Sequence, residues 1–231
     1  MSLVGQTLAI LRKDLLAEWR TRERLSPMIF LVLLMLLVFN FSFDMAGAPL
    51  HRTGPGVLWS AFVFASLLGL QRTFAAERDN GCLDALLVAP VSRTGLYLAK
   101  ALANLLYLLV VEAVTLPLFT LFFSLPVGAY LAPLPLVLLL GSTCLATTGT
   151  LFASMAGHTR LREFLLPLLL LPVAMPALIS CVAATGAVLE HSRGGAASWP
   201  PALAAHLEML AVYAVVYSTV CLLLFEHVIE E

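Results

Sequence analysis

Six long apolar runs, at 26–44, 57–71, 96–123, 131–155, 164–189 and 205–225, constrain this chain more than any other feature. A helix needs about 20 apolar residues, with roughly 17–25 usual, to cross a hydrocarbon core. Five runs reach that length. The second is short unless residues 72–76 carry its helix outward through the headgroups. Backbone groups find no partner in lipid, so each run is read as a helix. Composition agrees: 61% of residues are hydrophobic and 12% charged, with a mean hydropathy of +0.97, outside the soluble globular range. The expected fold is an all-α integral membrane protein, six transmembrane helices preceded by an N-terminal amphipathic interfacial helix. One transmembrane domain spans 1–231, with a cytoplasmic interfacial helix at 1–24, a cytoplasmic loop at 72–95 and an outer-side loop at 190–204.

Lys and Arg set the orientation, because cytoplasmic segments are enriched in them. Arg12, Lys13, Arg20, Arg22 and Arg24 precede the first run, and Arg72, Arg78, Arg93 and Lys100 connect the second and third. Arg160 and Arg162 connect the fourth and fifth, leaving only Arg52 and Arg193 for the other side. Both termini are therefore expected in the cytoplasm. Ala46-Gly47-Ala48 resembles a signal-peptide cleavage site. The first run, however, exceeds the roughly 7–15 apolar residues of a signal, and its leader carries Asp14, Glu18 and Glu23, so a membrane helix is the preferred reading.

Residues 3–24 read as a helix with Leu3, Leu8, Leu11, Leu15 and Trp19 toward one side and Arg12, Lys13, Glu18 and Arg22 toward the other. This pattern suits a helix in the membrane interface, and equally a solvated basic leader. Pro27 suits the first turn of the following span. Cys82, Cys144, Cys181 and Cys221 show no metal-binding spacing and read as small apolar residues. No metal site or nucleic-acid partner is expected.

Glu112 is the one ionisable group deep in a run, roughly 22 Å along the helix from Tyr97. A carboxylate there faces a bundle interior or an aqueous cavity, which makes it a candidate pathway or gating group. The plainer alternative is a protonated side chain bonded to a neighbouring helix. Pro167, Pro172 and Pro176 each remove a backbone bond from the fifth run and bend it. Asp44, His206 and Glu208 sit where headgroups are in reach. His51, His191 and His206 all fall on the outer side, where imidazole is a conceivable haem ligand, although solvated loop histidines are commoner.

No P-loop, H-E-x-x-H or G-x-S-x-G sequence is present. Driven work therefore needs an energy source outside this chain's own P-loop chemistry. The segment between the second and third runs is built for an external grip. Leu83, Leu86 and Leu87 form an apolar edge at i, i+3, i+4, flanked by Glu77, Arg78, Asp79 and Asp84. Gly81 permits a close approach or turn, Pro90 ends the short helix, and Ser92 is placed to cap the next. Such a helix rests on lipid or docks in a groove of a soluble partner; the periodicity serves both.

The run E-R-D-N-G-C-L-D-A-L-L-V-A-P, from Glu77 to Pro90, resembles the coupling segment of ABC-2 type (type V exporter-like) transporter membrane subunits. Three further runs, L-V-F-N-F-S-F-D from Leu37, L-Q-R-T-F-A-A-E-R from Leu70 and R-L-R-E-F-L-L-P-L-L-L-L-P-V-A-M-P from Arg160, look like the CcmB family. Members of that family are the haem exporter membrane subunits of cytochrome c maturation. Glu112 with Pro117 resembles that family's third span. The resemblance implies a multi-pass protein of the bacterial inner membrane, acting as a homodimer with two copies of a separate ABC ATPase subunit. It also implies a haem-handling C component and a small D component. Haem would be a handled ligand rather than a resident cofactor, and ATP would sit on the partner. The chain itself would be no enzyme: Glu77, Arg78, Asp79, Gly81, Leu83, Leu86, Leu87 and Pro90 would couple to the ATPase. Glu112, Pro117, Pro167, Pro172 and Pro176 would belong to a pathway or gate. The tryptophan-rich haem motif implied by the resemblance would belong to the partner C component; here Trp19, Trp59 and Trp199 are scattered. Two other readings compete: a general ABC-2 permease for lipid, polysaccharide or drug, and a non-transporting scaffold for cytochrome c maturation.

Overall fold

A computed structural model describes residues 3–47, 49–74, 92–123, 133–156, 162–194 and 201–228. Their regular structure is helical: α1 (Leu3–Thr21), α2 (Leu25–Met45), α3 (Leu50–Gln71), α4 (Arg93–Phe122), α5 (Leu134–Ala156), α6 (Arg162–Gly194) and α7 (Pro201–Val228). Helices α2 to α7 are each long and apolar enough to cross a membrane, as the six apolar runs require. The whole 77–90 segment with Cys82 lies outside the described residues, as do 124–132, Arg160 and Trp199.

The short second run gains its length at the opposite end from the one expected. Helix α3 begins at Leu50, after Pro49 in extended backbone, and stops at Gln71 instead of continuing through 72–76. The stop has a cause in the hydrogen bonds around it. The Arg72 N–H turns back to the Gly69 carbonyl, and the Arg24 guanidinium takes the carbonyls of Arg72 (2.6 Å) and Thr73 (3.4 Å). Ser92 caps α4 as its position predicts, its hydroxyl accepting from the Gly95 N–H at 3.2 Å. At the other side, α6 extends to Gly194 and α7 starts at Pro201, so helices occupy both ends of the 190–204 segment. A proline at the first helical position has no N–H to leave unpaired.

Helices α3 and α5 form the centre, α3 packing on α2, α4, α5 and α6, and α5 on α3, α4, α6 and α7. Small residues allow the approach. A Cβ at Gly141 of α5 would overlap the Trp59 ring and the Cys181 sulfur, and one at Gly149 would overlap Leu70. Van der Waals packing of this kind, rather than water exclusion, holds helices together in lipid. Helices α2 and α7 are peripheral and expose Phe30, Leu34, Phe41, Val212, Val215 and Leu223. Such a surface is a liability in water and matched in hydrocarbon. Cys144, Cys181 and Cys221 are buried thiols, in keeping with their apolar reading.

Candidate functional site

Two polar clusters interrupt this apolar bundle. The first lies where α1 meets the end of α3 and the start of α4. Helix α1 presents Thr7, Asp14 and Glu18 inward and leaves Val4, Leu8, Leu16 and Trp19 exposed. Glu18 therefore does not belong to a solvated charged side. Its carboxylate accepts from the backbone N–H of Arg24 (3.0 Å) and Leu25 (2.9 Å), capping the start of α2. Arg22 makes the corner with a positive φ of 54°.

Asp14 and Lys100 form the centre of this cluster. The Lys100 Nζ lies 2.9 Å from Asp14 Oδ2, and Lys13 lies 3.3 Å from Oδ1. Tyr107 donates to the Asp14 carbonyl at 3.2 Å, and the Lys100 ammonium stands 5.7 Å from the Phe74 ring centroid. Just beyond, Thr73 donates to Asn104 Oδ1 (3.1 Å), and Asn104 Nδ2 donates to Thr150 (2.9 Å). The chain ends that flank the 75–91 segment are held here too. Arg24 grips the Arg72–Thr73 backbone, and Gln6 accepts from the Ser92 N–H and hydroxyl, each at 3.1 Å.

The second cluster lies within the span. Glu112 is buried on α4 and accepts a hydrogen bond from the Ser142 hydroxyl of α5. Beside Ser142, Gly141 receives the Trp59 ring, whose Nε1 donates to Thr185 of α6 at 2.9 Å. Helices α3, α4, α5 and α6 thus meet around residues 141–142. Glu112 faces the bundle interior, as an intramembrane carboxylate should. Pro117 lies inside α4 and Pro167, Pro172 and Pro176 inside α6, each within a continuous helix. A single carboxylate with a hydroxyl partner can hold a proton or a cation. No group of three or more His, Cys, Asp or Glu suited to a metal occurs among the described residues.

The other sequence candidates fall at the ends. Asp44 and Glu208 are exposed, while His191 and His206 are half-buried on α6 and α7. The His51 side chain and all of Glu77, Arg78, Asp79, Gly81, Leu83, Leu86, Leu87 and Pro90 lie outside the described residues. The Asp14–Lys100 pair was missed because both charges read as surface residues. The available signal was a lysine one turn past the start of an apolar run, which needs a carboxylate partner to be buried.

Residues 6–227 match the family described as CcmB protein. The chain belongs to the CcmB family. It is similar to heme exporter protein B of Rhodobacter capsulatus, 33% identical over 171 residues that cover 74% of this chain and 78% of that one. The protein of the same description from Bradyrhizobium diazoefficiens is 35% identical over 186 residues, 78% of this chain and 81% of the relative. That from Paracoccus denitrificans is 34% identical over 171 residues, 74% and 78%. Family and fold agree on a multi-pass membrane protein.

Proposed function

We propose that this chain is the membrane subunit of an ABC complex for cytochrome c biogenesis. ATP hydrolysis on a separate subunit would drive haem export or the release of a haem-loaded chaperone. Membership of the CcmB family across residues 6–227, with relatives named heme exporter protein B, carries this reading. The 77–90 segment receives the ATPase from the cytoplasm of a bacterium, at the inner membrane, on the side where both termini lie. The complex contains two copies of this chain, two of the ATPase, and the haem-handling C and small D components.

The cluster around Asp14 and Lys100 supports this view of force transfer. Arg72–Thr73 and Ser92 are both fastened to residues of or beside α1, through Arg24 and Gln6. A displacement of the intervening segment then reaches α3, α4 and α1 together, and through Asn104–Thr150 the central α5. Glu112 and the proline-containing α6 are the parts of the bundle where that motion opens a path or gate. The test is co-purification of the ATPase subunit with wild type and Leu86→Asp. Loss of the ATPase with normal membrane insertion is expected, and unchanged binding overturns the coupling role.

A further inference from the structure

A groove runs along the outside of the bundle between antiparallel helices α3 and α6, with Trp59 as the wall it shares with the interior around residues 141–142. Its inner part is an apolar slot of about 510 Å³ lined by Trp59, Ser60, Phe64, Met175 and Ile179. At the end remote from α1 it opens, through the shared wall residue Ala183, into a polar cup of about 280 Å³. Arg52, Glu190, Gly186 and Ala187 line the cup. Both charged side chains are exposed, and no ion pair joins them or engages either one among the described residues. Opposite charges share a cup and leave room for a bridging group.

We propose that this groove binds one zwitterionic aminophospholipid, with its phosphate on Arg52, its ammonium on Glu190 and an acyl chain in the slot. Arg52 to Phe64 spans roughly 18 Å of helix, which matches one half of a hydrocarbon core about 30 Å thick plus its headgroup layer. Arg52 stands in the first turn of α3 and Glu190 near the last turn of α6. The α3 dipole therefore favours the phosphate and the α6 dipole the ammonium. The guanidinium suits a phosphate in charge and geometry, and the carboxylate suits a primary ammonium that donates hydrogen bonds. The slot volume falls in the usual range for small-molecule sites, roughly 300–1,000 Å³.

The full chain, reconstituted in nanodiscs of phosphatidylethanolamine, phosphatidylglycerol or phosphatidylcholine, provides the test, with retained lipid counted by native mass spectrometry after release into detergent. One phosphatidylethanolamine per chain should be held about tenfold better than the other two lipids, as expected for charge-assisted bonds. Glu190→Gln should abolish the preference over phosphatidylglycerol, and Arg52→Gln should release all three. Ser60→Trp, which fills the slot from an exposed position, should release lipid whatever its headgroup, with unchanged size-exclusion elution for every variant. Equal retention of the three lipids, or a preference that survives Glu190→Gln, overturns the proposal. So does near-complete cross-linking of Ser60→Cys to a second copy in membranes, which would give the groove to a dimer contact.

Discussion

Lys100 and Asp14 meet at 2.9 Å inside the protein, on helices that belong to different parts of the chain. Lys100 is almost wholly enclosed, with 1% exposure, and Asp14 has 8%. Removing two charges from water costs several kcal/mol each, and their attraction repays this only with good geometry and further bonds. The Lys13 contact to the carboxylate and the Tyr107 bond to the Asp14 backbone help hold that geometry.

Lys100→Met should therefore destabilise the protein by about 3–5 kcal/mol, because it strands a buried carboxylate. Asp14→Leu combined with Lys100→Met should recover most of that loss. Thermal unfolding in detergent measures both. A double variant no more stable than Lys100→Met would contradict the buried pair.

Glu112→Gln keeps the shape and hydrogen-bonding capacity of the side chain and removes its charge. If Glu112 belongs to a pathway or gate, cytochrome c formation should fall on the order of tenfold, about 1.4 kcal/mol, with assembly intact. Ser142→Ala should instead cost about 1–3 kcal/mol of stability by leaving a buried acceptor unsatisfied. Full activity of Glu112→Gln in cells would take the carboxylate's charge out of the mechanism.

Gly141→Ala sets a methyl group against Trp59 and Cys181. Overpacking at such a contact costs about 1–3 kcal/mol and should break the Trp59–Thr185 bond. A shift in tryptophan emission with a lowered midpoint of unfolding is the expected signature. Unchanged emission would mean that the ring does not rest on this glycine.

Glu18→Ala removes the acceptor for two N–H groups at the start of α2. A loss of about 0.5–2 kcal/mol is expected. Limited proteolysis near Arg22–Arg24 should accelerate. A cleavage rate equal to wild type would show that the cap does not hold the corner.

The spans were legible because lipid leaves the backbone no alternative to a helix, and Ser92 was legible because capping is local chemistry. The length of α3 was misjudged because Arg24, far off in sequence, takes the carbonyls that would have continued the helix. The inward polar face of α1 was hidden for the same reason. Asp14 and Glu18 look like solvated charges until Lys100, Tyr107 and the α2 backbone are brought to them. Glu112 could be singled out by its isolation in an apolar run, whereas its partner Ser142 is an ordinary small residue until α4 and α5 pack.

The position of Asp14 also imposes an order on synthesis. Its partners Lys100 and Tyr107, like the Gly95 carbonyl that Thr7 reaches, leave the ribosome roughly 90 residues after their α1 counterparts. At about 5–20 residues per second that interval is on the order of ten seconds. During it Asp14 has only the neighbouring Lys13 beside it, and α1 lacks the helix on which it packs. Helix α1 thus waits for α4 before it can be seated, although it is made well ahead of it.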